Sequence, residues 1–323
     1  MPQTLEQTLN EFSRQFEYEP GIANADTLGE YKKYVLLGMG GSHLAGDILL
    51  RMHPDIDMVV WSDYGLPPIA DLSERLVIVS SYSGNTEEVL DGLRVAGEQG
   101  IPTAIITTGG ALKDIAQQKR LPYVELPATG IQPRNALGYT LVGLLKVLRL
   151  EEDLAHISTL KATLTDGALK TDGQELAIRA VGRVPVFYTS RANKTLAYNW
   201  KIKCNETTKI PAFYNIFPEL NHNELAGMDV IEKTKELSKQ YMFFFITDTY
   251  DHERVQLRMR VTKELYAERG LITHEMSLDG ETAYERIFRS IVRADWFSFT
   301  LARHYETDPN TVPIIEQFKQ LIS

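Results

Sequence analysis

The sequence predicts an α/β protein with two doubly wound parallel-sheet domains and flanking helices. Two observations carry that expectation. Short, continuous apolar runs rich in β-branched residues alternate with longer helical patterns, as in repeated βαβ units. The alternation lapses once, in a polar stretch punctuated by Gly and Asp, and then resumes.

Residues 1–30 read as a helical segment ahead of the first sheet. YVLL (Tyr34–Leu37), MVVW (Met58–Trp61), LVIVS (Leu76–Ser80), TAIIT (Thr103–Thr107) and YVEL (Tyr123–Leu126) then read as buried strands. Between them, Thr86–Gln99 puts Val89, Leu93 and Ala96 on one helical face, and Asn85 with Glu88 has the spacing of a capping box. NALGYTLVGLLKVLRL (Asn135–Leu150) reads as a mostly buried helix. The polar stretch follows, and the domain boundary is expected there, giving domains 1–152 and 153–323. In the second half VPVFYTS (Val184–Ser190), IPAFYN (Ile210–Asn215), YMFFFIT (Tyr241–Thr247) and LITHEMS (Leu271–Ser277) repeat the pattern, with helices expected over His252–Arg269 and Ala283–His304.

The charge balance narrows the partners. With 43 Asp and Glu against 34 Lys and Arg, the net charge is -9, which argues against nucleic acid or an anionic membrane as the main partner. An anionic small molecule stays open, because a local site can be positive on an acidic protein. The single cysteine, Cys204, excludes an internal disulfide and fits a cytosolic setting. The opening MPQTLEQTLNEFSRQ lacks the basic and apolar regions of a secretory signal, and no apolar run approaches a membrane span. The histidines are scattered without metal-ligand spacing.

Five stretches bear on chemistry. In LLGMGGSHLAGDILL a strand runs through Gly38, Gly40, Gly41 and Ser42 into a helix, which aims backbone N–H groups and a hydroxyl at an anion. It is not a dinucleotide fingerprint. The third glycine would fall at His43, and without it the close helix–strand approach is expected to be lost. In VSSYSGNTEEVL the residues Ser81, Ser83, Asn85 and Thr86 crowd one strand-to-helix loop, curled at Gly84. Capping needs only one of them. Both loops leave carboxyl ends of strands in the same sheet, where open α/β folds bind ligands.

In GIQPRNALGYT the residue Arg134 follows a proline and precedes a helix, a place for a fixed guanidinium, although a surface arginine would look the same. Glu206 ends the helical pattern TLAYNWKIKCNE, and His222 lies sixteen residues later. Each alone has an ordinary reading, a solvated helix end and a helix-cap histidine. Lys319 in the tail alone reads as a cation at a helix C-terminus.

Taken together, GMGGSHLAGDIL, SSYSGNTEEVL, QPRNALGY, NWKIKCNETTKIPAFYNIFPELNHNELAGM and DPNTVPIIEQFK occur in an order that resembles the bifunctional phosphoglucose/phosphomannose isomerases of the sugar isomerase (SIS) superfamily. The resemblance runs from about Tyr31 to the C-terminus. It implies two SIS-type, flavodoxin-like domains, a homodimer, a sugar-phosphate substrate, and no metal or nucleotide cofactor. It matches Gly41, Ser42, Ser81, Ser83 and Thr86 to the phosphate pocket, Arg134 to the catalytic arginine and Glu206 to the base. His222 matches a histidine supplied to the neighbouring subunit, and Lys319 a catalytic lysine. A family threonine near the tail leaves room for two epimeric sugars, and Thr311 in DPNTVP is the candidate here. The implied activity interconverts glucose 6-phosphate and mannose 6-phosphate with fructose 6-phosphate. Two other readings remain: a non-catalytic SIS module that senses a sugar phosphate, and another SIS sugar-phosphate isomerase.

Overall fold

The structure is a computed structural model that describes residues 4–322. The chain divides into two compact units, Met1–Thr165 and Asp166–Ser323.

In the first unit, β1 (Ile22–Ala23), β2 (Lys33–Leu37), β3 (Asp57–Trp61), β4 (Leu76–Ser80), β5 (Thr103–Thr107) and β6 (Tyr123–Glu125) form one sheet in the order β1-β6-β5-β4-β2-β3. The pairings from β2 to β6 are parallel, and β1 adds an antiparallel edge. Counted from β2, the parallel strands follow the flavodoxin-like order 2-1-3-4-5. β4 and β5 are buried along their whole length, as their unbroken apolar runs require. One face packs Val35, Val77, Val79 and Ile105 against Val89, Leu93 and Leu112.

The helix Gly41–Met52 lies very close to β2. A Cβ on Gly46 would come within 2.5 Å of Leu36 Cδ2. The close approach expected to fail for want of a glycine at His43 is therefore made three residues later, at Gly46.

Two further expectations about this unit change. The N-terminal segment is only partly helical (Leu5–Asn10 and a 3-10 turn, Phe12–Glu17) before it contributes β1. The division between units falls at Thr165/Asp166 rather than 152/153. Its cause is packing: the helices Glu151–Ser158 and Leu160–Thr163 bury Ile157 and Leu160, and Asp153 accepts from His53 at 2.9 Å. Their polar outer faces made them read as a linker.

In the second unit, β7 (Val184–Ser190), β8 (Phe213–Phe217), β9 (Tyr241–Thr247) and β10 (Ile272–Ser277) form an all-parallel sheet in the order β10-β9-β7-β8. The core is aromatic. Phe187 stacks on Phe244 at 5.3 Å between centroids, and Trp200 meets Phe297 edge-on at 5.3 Å. Each such pair adds about 0.5–1.5 kcal/mol beyond its buried area. Phe297 belongs to the 22-residue helix Ala283–His304, whose first turn is capped by Thr282 accepting from Glu285 N.

β8 starts three residues later than the apolar run from Ile210 indicates. Lys209 is left-handed at φ 62°, Ile210 N donates back to Cys204 O, and Asn205 Nδ2 takes the Ile210 carbonyl. Pro211 has no N–H to give a neighbouring strand. Among the described residues, no helix is long and apolar enough to cross a membrane.

Candidate active site

The order of the first sheet reverses between β2 and β4, and the two loops singled out in the sequence leave those strands. Such a switch point opens a crevice beyond the strand ends. After β2, Gly40 takes φ 52° and hands over to the helix Gly41–Met52, where Ser42 is buried. After β4, the hydroxyls of Ser81 and Thr86 lie 2.7 Å apart, and those of Ser81 and Ser83 3.4 Å apart. Gly84 N donates to Ser81 Oγ at 3.2 Å. Gly84 itself has φ 73°, and a Cβ there would sit 1.8 Å from Gly109 O, so glycine alone can make this curl.

The expected capping box does not form. Thr86 is the N-cap of the helix Glu87–Glu98, with no side-chain bond into it. Asn85 Oδ1 instead accepts from Ala111 N at 3.0 Å, tying the loop to the following βα turn. Thr86 spends its hydroxyl on Ser81 rather than on capping. The loop therefore offers clustered hydroxyls at a helix N-terminus, the arrangement suited to an oxyanion.

Arg134 stands beside the first of these loops. It lies on the 3-10 turn Pro133–Asn135, only 6% exposed. A Cβ on Gly41 would stand 3.5 Å from Arg134 Cα, so the first loop and the arginine turn are in contact. One support was missed in the sequence. Gln15, buried, donates from Nε2 to Asn135 O at 2.6 Å and accepts from Tyr139 N at 3.2 Å. The N-terminal segment thus buttresses the arginine turn across more than a hundred residues of chain. No local pattern in the sequence marks that bond.

In the second unit, Glu206 lies in a π-helical turn, Cys204–Thr208, that extends the helix Lys194–Lys203. Such turns carry an extra residue and recur at functional positions. This one is held from below. Lys203 and Asp295, 1% and 3% exposed in their side chains, form a buried ion pair, and Thr208 Oγ1 donates to Ser298 O at 2.8 Å. From above, Lys209 Nζ donates to Glu206 O at 2.7 Å and to Asp308 O at 2.6 Å. Asp308 in turn accepts from Asn310 N and from Thr311 Oγ1. The Asn310 N–H lowers the Asp308 carboxyl below the usual carboxylate range, against a smaller burial effect, with Thr311 and Lys209 assisting. The loop carrying Thr311 is therefore tied to the turn carrying Glu206.

His222 and Lys319 stand on other elements. His222 ends the 3-10 turn Glu219–His222 after β8 and is exposed. Lys319 lies on the exposed helix Pro313–Ile322. Among the described residues, no group of three or more His, Cys, Asp or Glu side chains could hold a metal ion.

The second sheet has its own switch point, between β7 and β9. Its contents differ from the first. Asn193, fully buried, donates to Ser190 Oγ at 3.1 Å and to Asp251 Oδ1 at 3.3 Å. Buried Asp248 faces Arg286 at 3.9 Å, and the guanidinium lies over the Tyr250 ring at 4.1 Å. Carboxylates stand where the first unit has hydroxyls, so an incoming anion would meet like charge.

The comparisons agree with this architecture. Residues 169–322 match the family model described as the bacterial phospho-glucose isomerase C-terminal SIS domain. A bifunctional phosphoglucose/phosphomannose isomerase from Aquifex aeolicus is 35% identical over 315 residues, covering 96% of this chain and 95% of the relative. A D-glucosamine-6-phosphate 4-epimerase from Sulfolobus acidocaldarius is 33% identical over 210 residues, covering 64% of this chain and 65% of the relative. The solved structure of glucosamine-6-phosphate deaminase from Thermotoga maritima aligns with a TM-score of 0.67 at 15% identity, over 96% of each chain, a likeness of fold. On the identity and reach of the Aquifex match, the chain belongs to the bifunctional phosphoglucose/phosphomannose isomerase family.

Proposed function

We propose that this protein is an aldose–ketose isomerase that interconverts glucose 6-phosphate and mannose 6-phosphate with fructose 6-phosphate. One observation supports the reading most: the loop after β4 at the first switch point clusters the hydroxyls of Ser81, Ser83 and Thr86, and the loop after β2, with the buried Ser42, touches a buried arginine turn. Clustered hydroxyls at a helix N-terminus suit an oxyanion, and a sugar phosphate would supply one. The name of the Aquifex relative supports the same substrate class.

The phosphate takes no part in the chemistry. Gly41, Ser42, Ser81, Ser83 and Thr86 hold it, and that remote binding energy keeps the reacting carbons in register. Moving a proton between adjacent carbons needs one base with access to both. Glu206 is that base. The intermediate is a cis-enediolate, whose negative charge Arg134 stabilises as a fixed cation. Ring opening protonates the ring oxygen and removes a hydroxyl proton, work assigned to His222 and Lys319.

The protein acts as a homodimer in the cytoplasm, with His222 serving the neighbouring subunit's site. Its exposure on a well-anchored turn supports this. Accepting both sugars requires the enediolate to rotate and present either face of C2 to Glu206. Thr311 leaves room for that rotation, and its tie to Asp308 near the Glu206 turn supports the assignment. Thr311→Gln is expected to lower turnover of mannose 6-phosphate more than that of glucose 6-phosphate.

The test is direct. Purified protein in EDTA should convert fructose 6-phosphate to glucose 6-phosphate, and Glu206→Gln should remove that activity. Turnover unchanged by the substitution would refute the mechanism. No turnover at all in the unmodified protein would leave the sensing module. The name of the Sulfolobus relative favours one other reading, epimerisation of glucosamine 6-phosphate at C4. Consumption of that sugar with none of fructose 6-phosphate would establish it.

A further inference from the structure

We propose that Glu224 and Asn221 are positioning residues that fix the exposed His222 from both sides. The proposal rests on the reading that His222 handles protons during ring opening.

His222 is exposed, yet its neighbours are held. Leu220, two residues before it, is fully buried in the core with Phe217, Tyr188 and Tyr266. Asn221 is bonded to the helix Glu253–Glu268 at both ends of its amide. Its Nδ2 donates to Thr262 Oγ1 at 2.9 Å, and its Oδ1 accepts from Arg258 at 3.3 Å. After the histidine, Asn223 Nδ2 donates to Glu219 Oε1 at 3.0 Å, and Asn223 Oδ1 accepts from Glu224 N at 2.6 Å.

Glu224 closes the clamp. Its two carboxylate oxygens are divided between two strands: one accepts from the phenol of Tyr188 on β7, the other from the amide of Asn215 on β8. Burial, then the neighbouring Tyr266 and Glu224, raise the Tyr188 pKa, so the phenol stays protonated and is the donor. Burial likewise pushes Tyr266 up to about 12. A carboxylate drawn into two hydrogen bonds, two residues from an exposed histidine, is more anchoring than a surface turn needs. Exposed loops otherwise move on the nanosecond to microsecond scale. A proton-transfer group misplaced by about 1 Å can cost roughly a hundredfold in rate.

Reversing the polarity of one bond gives the test. Glu224→Gln keeps one acceptor oxygen where the carboxylate has two, so at one of the two contacts, with Asn215 or with Tyr188, an amide N–H replaces the acceptor. The expected result is a fall in kcat for glucose 6-phosphate of about 10–100-fold with KM unchanged, because the phosphate loops are untouched. The exchanged pair Glu224→Gln with Asn215→Asp restores one donor and one acceptor and should recover most of kcat. The His222 imidazole should give one sharp NMR signal in the unmodified protein and the exchanged pair, and a broadened one in Glu224→Gln. Asn221→Ala tests the other flank without touching the half-buried Glu224 carboxylate, and should also lower kcat.

Unchanged kcat and an unchanged His222 signal in Glu224→Gln and Asn221→Ala would overturn the proposal. So would a drop in kcat that follows only a lower melting temperature and does not recover in the exchanged pair. His222→Asn separates the two layers. Full turnover in that variant would remove the ring-opening role while leaving the NMR evidence for the clamp intact.

Discussion

The two switch points make the most instructive pair in this molecule. Both sheets share the strand order 2-1-3-4, counted from the first parallel strand of each. In the first, the loop after β4 clusters the hydroxyls of Ser81, Ser83 and Thr86, and the loop after β2, which carries Gly41 and Ser42, touches the turn of Arg134. In the second, the loops after β7 and β9 bring Asn193, Asp248 and Asp251; Asn193 donates to both carboxylates, and Asp248 faces Arg286. One crevice presents hydroxyls at a helix N-terminus, an arrangement suited to an oxyanion, and the other carries the chain's own carboxylates. The second unit offers its candidate chemistry elsewhere, at the π-turn carrying Glu206, beyond the helix that follows β7. A repeated architecture fixes where a site can form, and side chains decide whether one does.

Substitutions can break that contrast in order of effect. The largest is at the π-turn. Glu206→Gln should lower kcat by about 10²–10⁴-fold, the range for a positioned general base, with little change in KM. A loss of substrate binding instead would make Glu206 an anchor rather than a base. Next is the second switch point. Asp248→Ala leaves a buried arginine without its carboxylate neighbour, and should cost about 3–5 kcal/mol in unfolding free energy. It should leave KM alone in the folded protein. A rise in KM from this change would mean that the second crevice also binds substrate.

The first switch point comes third. Ser81→Ala with Thr86→Val removes two hydroxyls that address an anion. Each hydrogen bond to a charged group contributes about 1.5–3 kcal/mol, so KM should rise at least tenfold. Ser190→Ala, the corresponding removal after β7, should leave KM unchanged. A steady-state comparison of these variants measures the contrast directly.

The smallest effect concerns pH. The Asp308 carboxyl is lowered by the Asn310 N–H, so its bonds to the tail loop are fully present above the ordinary carboxylate range. They are lost only as pH falls through that lowered value. The amide signals of Asn310 and Thr311 should therefore stay constant from neutral pH down through about pH 4, and shift below it. Because Asp308 is exposed, Asp308→Asn should change the melting temperature little.

Much of this was legible in the sequence because it is local. β4, β5, β7 and β9 begin and end where their apolar runs do, since strands of a parallel sheet buried on both faces read as near-continuous apolar runs. The serine loop was visible because four polar residues in six exceed what a cap requires. What escaped is long-range or backbone-driven. Gln15 reaches Asn135, and Tyr188 reaches Glu224, across separations that no periodic pattern encodes. β8 is displaced by the left-handed Lys209, a conformation no propensity assigns to lysine. Asn85 has the spacing of a cap but serves the next turn, because Gly110 brings Ala111 N within its reach. The late division between the units follows from Ile157 and Leu160, whose burial is hidden in a mostly polar stretch.

The most direct measurement is a crystal structure of Glu206→Gln soaked with fructose 6-phosphate, which traps the sugar without turning it over. The phosphate should lie against Ser42, Ser81, Ser83 and Thr86, with the second switch point still closed by Asp248 and Asp251. A phosphate bound instead beside Ser190 and Asn193, with the serine loop of the first unit empty, would contradict the assignment of the two crevices.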